Sequence, residues 1–97
     1  MPYIKQGTRL IFNKAIESLA KLLRENPDVG NVNYCITRLV LIAGRPSTGW
    51  NYASLHDVVG VLDDAKSEIR RRIMDPYENY KGELNGDILE FEDEEEA

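Results

Sequence analysis

The stretch LHDVVGVLDDAKSEIRRRI, residues 55–73, decides the fold. Leu55, Val58, Val59, Leu62, Ala65, Ile69 and Ile73 form one seam, with Asp57, Asp64, Glu68 and Arg71 away from it. Returns after three or four residues are the period of a helix face; a strand would alternate at every residue. The spacing predicts a helix from about Ser54 to Met74. Pro76 closes it, because proline lacks the N–H donor and its ring clashes with the turn before. Gly60 inside this helix costs about 1 kcal/mol relative to alanine. It marks either a close approach by another helix or ligand, or tolerance of an imperfect helix.

Upstream, the same period appears twice. Phe12, Ile16, Leu19 and Leu23 share a stripe, with Lys14, Glu17, Lys21 and Arg24 between them, so a helix is expected from about Thr8, as N-cap, to Glu25, stopped by Asn26-Pro27. A second helix begins after Gly30, capped by Asn31 or Asn33. It sets Ile36, Leu39, Val40 and Ala43 on one stripe while Leu41 and Ile42 face elsewhere. A helix apolar nearly all round must be buried on several sides. At this chain length folding buries only roughly 60 to 65% of the surface that the unfolded chain exposes. Another subunit is therefore the expected cover.

Downstream, Tyr77 to Gly86 lacks sustained periodicity and contains Gly82 and Asn85-Gly86, so it reads as an extended arm. The expected fold is all-α: a homo-oligomeric three-helix domain over residues 1–86, including this arm, followed by a disordered acidic tail over residues 87–97. Seven of the 17 acidic residues lie in that tail, which has no base; residues 1–86 then hold 12 bases against 10 acids. The formal charge of −5 thus conceals a mildly basic body. A run such as Glu92-Asp93-Glu94-Glu95-Glu96 repels itself and has no apolar face, so it is expected to be a solvated tail. Its role is either solubility or cover for a basic pocket when no ligand is present.

Several chemistries lack the residues they need. The single Cys35 forms no intramolecular disulfide and sits in an apolar run, as suits a reduced thiol inside a cell. One histidine, His56, and one cysteine do not give the paired spacing of a zinc site. His56 has only Leu55 and Asp57 beside it, which form no nucleophile and base arrangement, and Asp63-Asp64 point about 100° apart on a helix. No phosphate-binding glycine loop of the P-loop or dinucleotide type is present. No metal, cofactor or enzyme activity is therefore expected. No apolar run approaches the ~20 residues of a membrane span, and residues 1–5 lack the order of a signal peptide, so a cytosolic location is expected.

Binding is better supplied. Tyr3, Tyr34, Trp50, Tyr52, Tyr77 and Tyr80 lie outside the main apolar seams and can either cap a core or offer flat stacking surfaces. Arg9, Arg38, Arg45 and Arg70-Arg71-Arg72 supply guanidinium forks suited to phosphate. Asn33-Tyr34-Cys35 and Asn51-Tyr52-Ala53 echo one another, each placed where a helix is expected to begin. A long nucleic acid would need a broad basic surface that this chain does not have, whereas a small enclosed anion fits its charge.

The chain resembles a family of small proteins of tailed phages and prokaryotes. The matching pieces are Met1-Pro2-Tyr3-Ile4-Lys5-Gln6, Asn33-Tyr34 with Ile36-Thr37-Arg38-Leu39, and Asn51-Tyr52-Ala53 with Leu55. They continue through Gly60-Val61-Leu62, Ala65-Lys66, Arg71-Arg72, Pro76-Tyr77-Glu78 and Asn85-Gly86-Asp87. Gly7, the loop Gly44 to Gly49 and the acidic tail depart from the pattern. Through that family the chain is similar to phage sponge proteins that sequester cyclic nucleotides and so silence CBASS antiviral signalling. The resemblance implies a homo-oligomer that holds a cyclic dinucleotide, or a related cyclic oligonucleotide, without cleaving it in the host cytosol. It implies Tyr34, Tyr52 and Tyr77 for stacking on bases, Arg38 and Arg71 for phosphates, and Thr37 and Asn51 for polar contacts. The alternative is a helical homo-oligomeric interaction module with no small ligand.

Overall fold

The computed structural model describes residues 2–90. All regular structure in them is helical: α1 (Gln6–Glu25), α2 (Val29–Gly44), α3 (Tyr52–Ile69), a π turn (Arg70–Met74), α4 (Asp75–Asn85) and a 3-10 turn (Ile88–Glu90). The all-α class and the three expected helices are present. The chain divides into two compact units, Met1–Leu62 and Asp63–Ala97.

In the first unit the helix ends are set by groups other than the expected caps. Lys5, not Thr8, is the N-cap of α1, with no side-chain cap; the amides of Thr8 and Arg9 both donate to Lys5 O, so Thr8 is already helical. Arg9 Nε donates to Ile4 O at 2.9 Å and ties the N-terminal segment to the helix. At the other end Asn26 stops α1 as expected, its amide and Nδ2 both donating to Leu22 O. Asp28, rather than Asn31 or Asn33, caps α2: its Oδ1 accepts from Gly30 N at 2.6 Å, satisfying a donor that the helix itself leaves free. Asn31 is occupied otherwise, donating from Nδ2 to Asn26 O. Because α2 starts at Val29, Tyr34 stands in its second turn and not its first.

Helix α3 starts at Tyr52 on a reciprocal cap. Asn51 Oδ1 accepts from Ser54 N at 2.9 Å, while Ser54 Oγ accepts from Asn51 N at 3.0 Å. Ser54 is buried, and one turn later Val58 is the one buried apolar residue among those described. Val58 owes its burial to Gly44: a Cβ at that glycine would lie 2.5 Å from Val58 Cγ2. The close approach of helices thus occurs at Gly44, and the space beside Gly60 is open.

The apolar girdle of α2 is not buried within the chain. No residue of this helix is buried, and Ile42 is 65% exposed. Contacts between residues distant in sequence are few. One chain of this length has too few helices to enclose a central one.

In the second unit the expected arm is a helix. Pro76 does not end the helical path, because the turn before it widens: Asp75 N donates to Arg70 O, one residue farther back than in an α-helix. This π turn makes room for the ring, and Pro76 stands at the start of α4, directly after the widened turn. Gly86, at φ +91, ends α4 with its amide on Gly82 O. The first residues of the expected acidic tail form the 3-10 turn, beside which Leu89 N donates to Asp87 Oδ1. Its remainder, residues 91–97, lies outside the described residues. Among the described residues no helix is long and apolar enough to cross a membrane.

Candidate functional site

On α2, residues 34, 38, 41 and 42 follow one face at helical spacing. Arg38, Leu41 and Ile42 occupy its last two turns, and Arg45 follows at the C-cap in extended conformation. The chain then reverses through Pro46, whose carbonyl accepts from Gly49 N at 3.0 Å, a turn that Gly49 permits with φ +96. The reversal carries Trp50 back to the end of α2. Arg38, Leu41, Ile42, Arg45, Pro46, Ser47 and Trp50 line an open pocket of about 530 Å³. That volume lies in the range of roughly 300–1,000 Å³ typical of small-molecule sites.

The lining contains two guanidinium groups and no acid. The carbonyl end of α2 contributes roughly half a negative charge nearby, which the two cations outweigh. Indole presents a flat apolar face and guanidinium a fork that fits phosphate oxygens. An aromatic group bearing phosphate meets both requirements. Among the described residues no cluster of His, Cys, Asp and Glu could hold a metal ion.

The residues read from sequence are distributed as follows. Arg38 lines the pocket, and half-exposed Tyr34 stands one turn before it on the same face. Thr37 Oγ1 donates to Asn33 Oδ1 at 3.1 Å. Asn51 has its side-chain oxygen committed to capping α3. Tyr52 turns to His56, with its hydroxyl 2.8 Å from Nε2 and ring centroids 4.5 Å apart. Arg71 and Tyr77 belong to the second unit, where Arg71 is paired with Glu68 at 2.7 Å and Tyr77 carries Lys81 Nζ at 5.8 Å from its ring centre. Arg45 and Trp50 join the pocket without being expected there from the resemblance. Arg38 and Arg45 lie two helical turns apart, which was a signal; the return of Trp50 depends on the turn at Pro46–Gly49.

The domain of unknown function DUF6899 matches residues 1–88. The chain belongs to this family. The DUF6899 match includes every residue of the pocket and ends before the acidic run at Glu92. No curated protein and no solved structure matches the chain.

Proposed function

We propose that this DUF6899 protein is a homo-oligomeric sponge that binds a cyclic nucleotide signal and sequesters it without cleaving it. The pocket formed by Arg38, Arg45 and Trp50 carries the reading. A base stacks on the indole, the two arginines hold phosphate, and Tyr34 extends the aromatic surface along the same face. The resemblance to phage sponge proteins gives the ligand class its narrower form, a cyclic dinucleotide or related cyclic oligonucleotide, and places the protein in the host cytosol.

Magnitudes favour a site shared between subunits. One stacked base contributes about 1 to 3 kcal/mol, and each hydrogen bond to a charged group about 1.5 to 3 kcal/mol. One stack and two such bonds give a gross gain of about 4 to 9 kcal/mol, while nanomolar binding needs about 12 kcal/mol after ordering costs are met. A ligand with two bases and two phosphates placed between two copies of the pocket doubles the gross gain.

The test is calorimetry of the full chain against a panel of cyclic dinucleotides and trinucleotides. Binding to at least one member is expected, weakened at least about tenfold by Trp50→Ala or Arg38→Ala, a loss of about 1.4 kcal/mol or more. Recovery of intact ligand after heating the complex distinguishes sequestration from hydrolysis. A second reading, a helical interaction module with no small ligand, is favoured by the exposure of the apolar faces of α1 and α2. Assembly in solution with no binding to any panel member at micromolar concentration selects it.

A further inference from the structure

On a helix the neighbours of a side chain in space are the residues three and four away, not those beside it in sequence. For His56 that neighbour is Tyr52, the first residue of α3. The Tyr52 hydroxyl oxygen lies 2.8 Å from His56 Nε2, and the two rings stand 4.5 Å apart at an angle of 50°. With the ring proton on Nδ1, the hydroxyl donates and Nε2 accepts. A hydroxyl within hydrogen-bond reach of an imidazole is the arrangement of a nucleophile and its base, which the sequence neighbours Leu55 and Asp57 do not supply.

Access and lack of other duties both single out Tyr52. It is 79% exposed, whereas Tyr3, Tyr34, Tyr77 and Tyr80 are 50 to 56% exposed. His56 is the one histidine, so no other tyrosine of the chain has such a base. Cys35, the one thiol, is half-buried. The pair belongs neither to the pocket of Arg38, Arg45 and Trp50 nor to the cap formed by Asn51 and Ser54. Its surroundings on the helix also select the reagent. Helix α3 holds no lysine or arginine before Lys66, so nothing on it beside the pair neutralises the charge of a phosphoryl donor. An uncharged acyl donor needs no such group.

We propose that Tyr52 is an acyl-acceptor site, modified on its phenolic oxygen by an uncharged activated acyl donor with His56 as the base. The phenolic oxygen attacks the acyl carbon and forms the C–O bond, while its proton passes to His56 Nε2. The bond from the acyl carbon to the leaving group then breaks, and the leaving group departs with that electron pair and takes the proton from Nε2. Nothing is oxidised or reduced, and the imidazole returns to its starting form. A neutral phenol is a weak nucleophile, and loss of its proton during the attack is what the base contributes. The chain accepts one acyl group and turns nothing over, and the modification is independent of nucleotide binding.

The probe is N-acetylimidazole, an uncharged acyl donor, applied to the full chain at neutral pH, with acetylated tyrosines located by peptide mass mapping. Tyr52 is expected to react on the order of tenfold faster than Tyr34, Tyr77 or Tyr80, short of the roughly hundredfold or more that a base contributes in an enclosed site. The difference in exposure is itself less than twofold. Hydroxylamine should remove the group, as it does from an acylated phenol and not from an acylated amine. His56→Gln keeps a hydrogen-bonding side chain and removes the base, so it should bring Tyr52 to the rate of the other tyrosines. Tyr52→Phe should abolish the fast reaction. Circular dichroism of both variants should match that of the parent chain, since both residues are exposed. Acetylation of Tyr52 no faster than that of the other tyrosines, or a fast reaction that survives His56→Gln, overturns the proposal. The second outcome would leave the pair as a contact that only holds the first turn of α3.

Discussion

Gly44 and Gly60 show how little a residue's identity says until its surroundings are known. Both are helical glycines, yet a methyl group at Gly44 would strike Val58 and one at Gly60 would meet open space. Gly44→Ala should therefore destabilise the first unit by about 1 to 3 kcal/mol, the usual cost of overpacking. Gly60→Ala should stabilise α3 by up to about 1 kcal/mol through helix propensity. Thermal unfolding followed by circular dichroism checks both, and shifts of the same sign in the two variants would contradict the placement of the helix contact. Sequence alone pointed to Gly60, because a glycine inside a strong apolar period attracts notice and one at a helix end resembles ordinary punctuation. The site was legible to a similar degree. Arg38, expected from the resemblance, does line the pocket, whereas Asn51, expected from the same resemblance as a polar contact, has its oxygen capping Ser54 N. Trp50 joins the pocket only through a loop conformation that no periodicity encodes.

At the scale of elements, periodicity located α1, α2 and α3, and the errors gathered at their ends. A helix terminus depends on which of several neighbouring polar groups reaches the free amides, and Asp28 does so ahead of Asn31 and Asn33. The large departure is α4. Pro76 reads as a stop because a proline inside an α-helix removes a bond and crowds the turn before it, but a turn can widen to admit the ring. The π turn at Arg70–Met74 is that accommodation. Pro76→Ala should let the turn tighten to α geometry, since residue 76 then has an amide to offer to Arg72 O. The gain in local helix stability is at most about 3 kcal/mol. Hydrogen exchange is the sensitive measure, with the new amide at position 76 expected to be protected.

For the whole molecule, the governing fact is that Val58 is the one buried apolar side chain among the described residues. Burying a valine contributes roughly 1.5 kcal/mol or a little more, whereas ordinary domains are stable by about 5 to 15 kcal/mol. Helices of 20, 16 and 18 residues joined by few long-range contacts do not supply the remainder alone. The apolar girdle of α2 and the exposed Leu10 and Ile11 of α1 are surfaces that association would bury. Folding coupled to association makes stability depend on chain concentration by mass action. The midpoint of thermal unfolding should rise with protein concentration, and helicity should fall on dilution together with the mass measured by light scattering. A monomer that keeps its helicity and a fixed midpoint from nanomolar to micromolar concentration would contradict coupled folding. A ligand held between subunits adds its own linkage, raising the midpoint further as its concentration passes its dissociation constant. Concentration series with and without a cyclic dinucleotide therefore separate the contribution of self-association from that of the ligand.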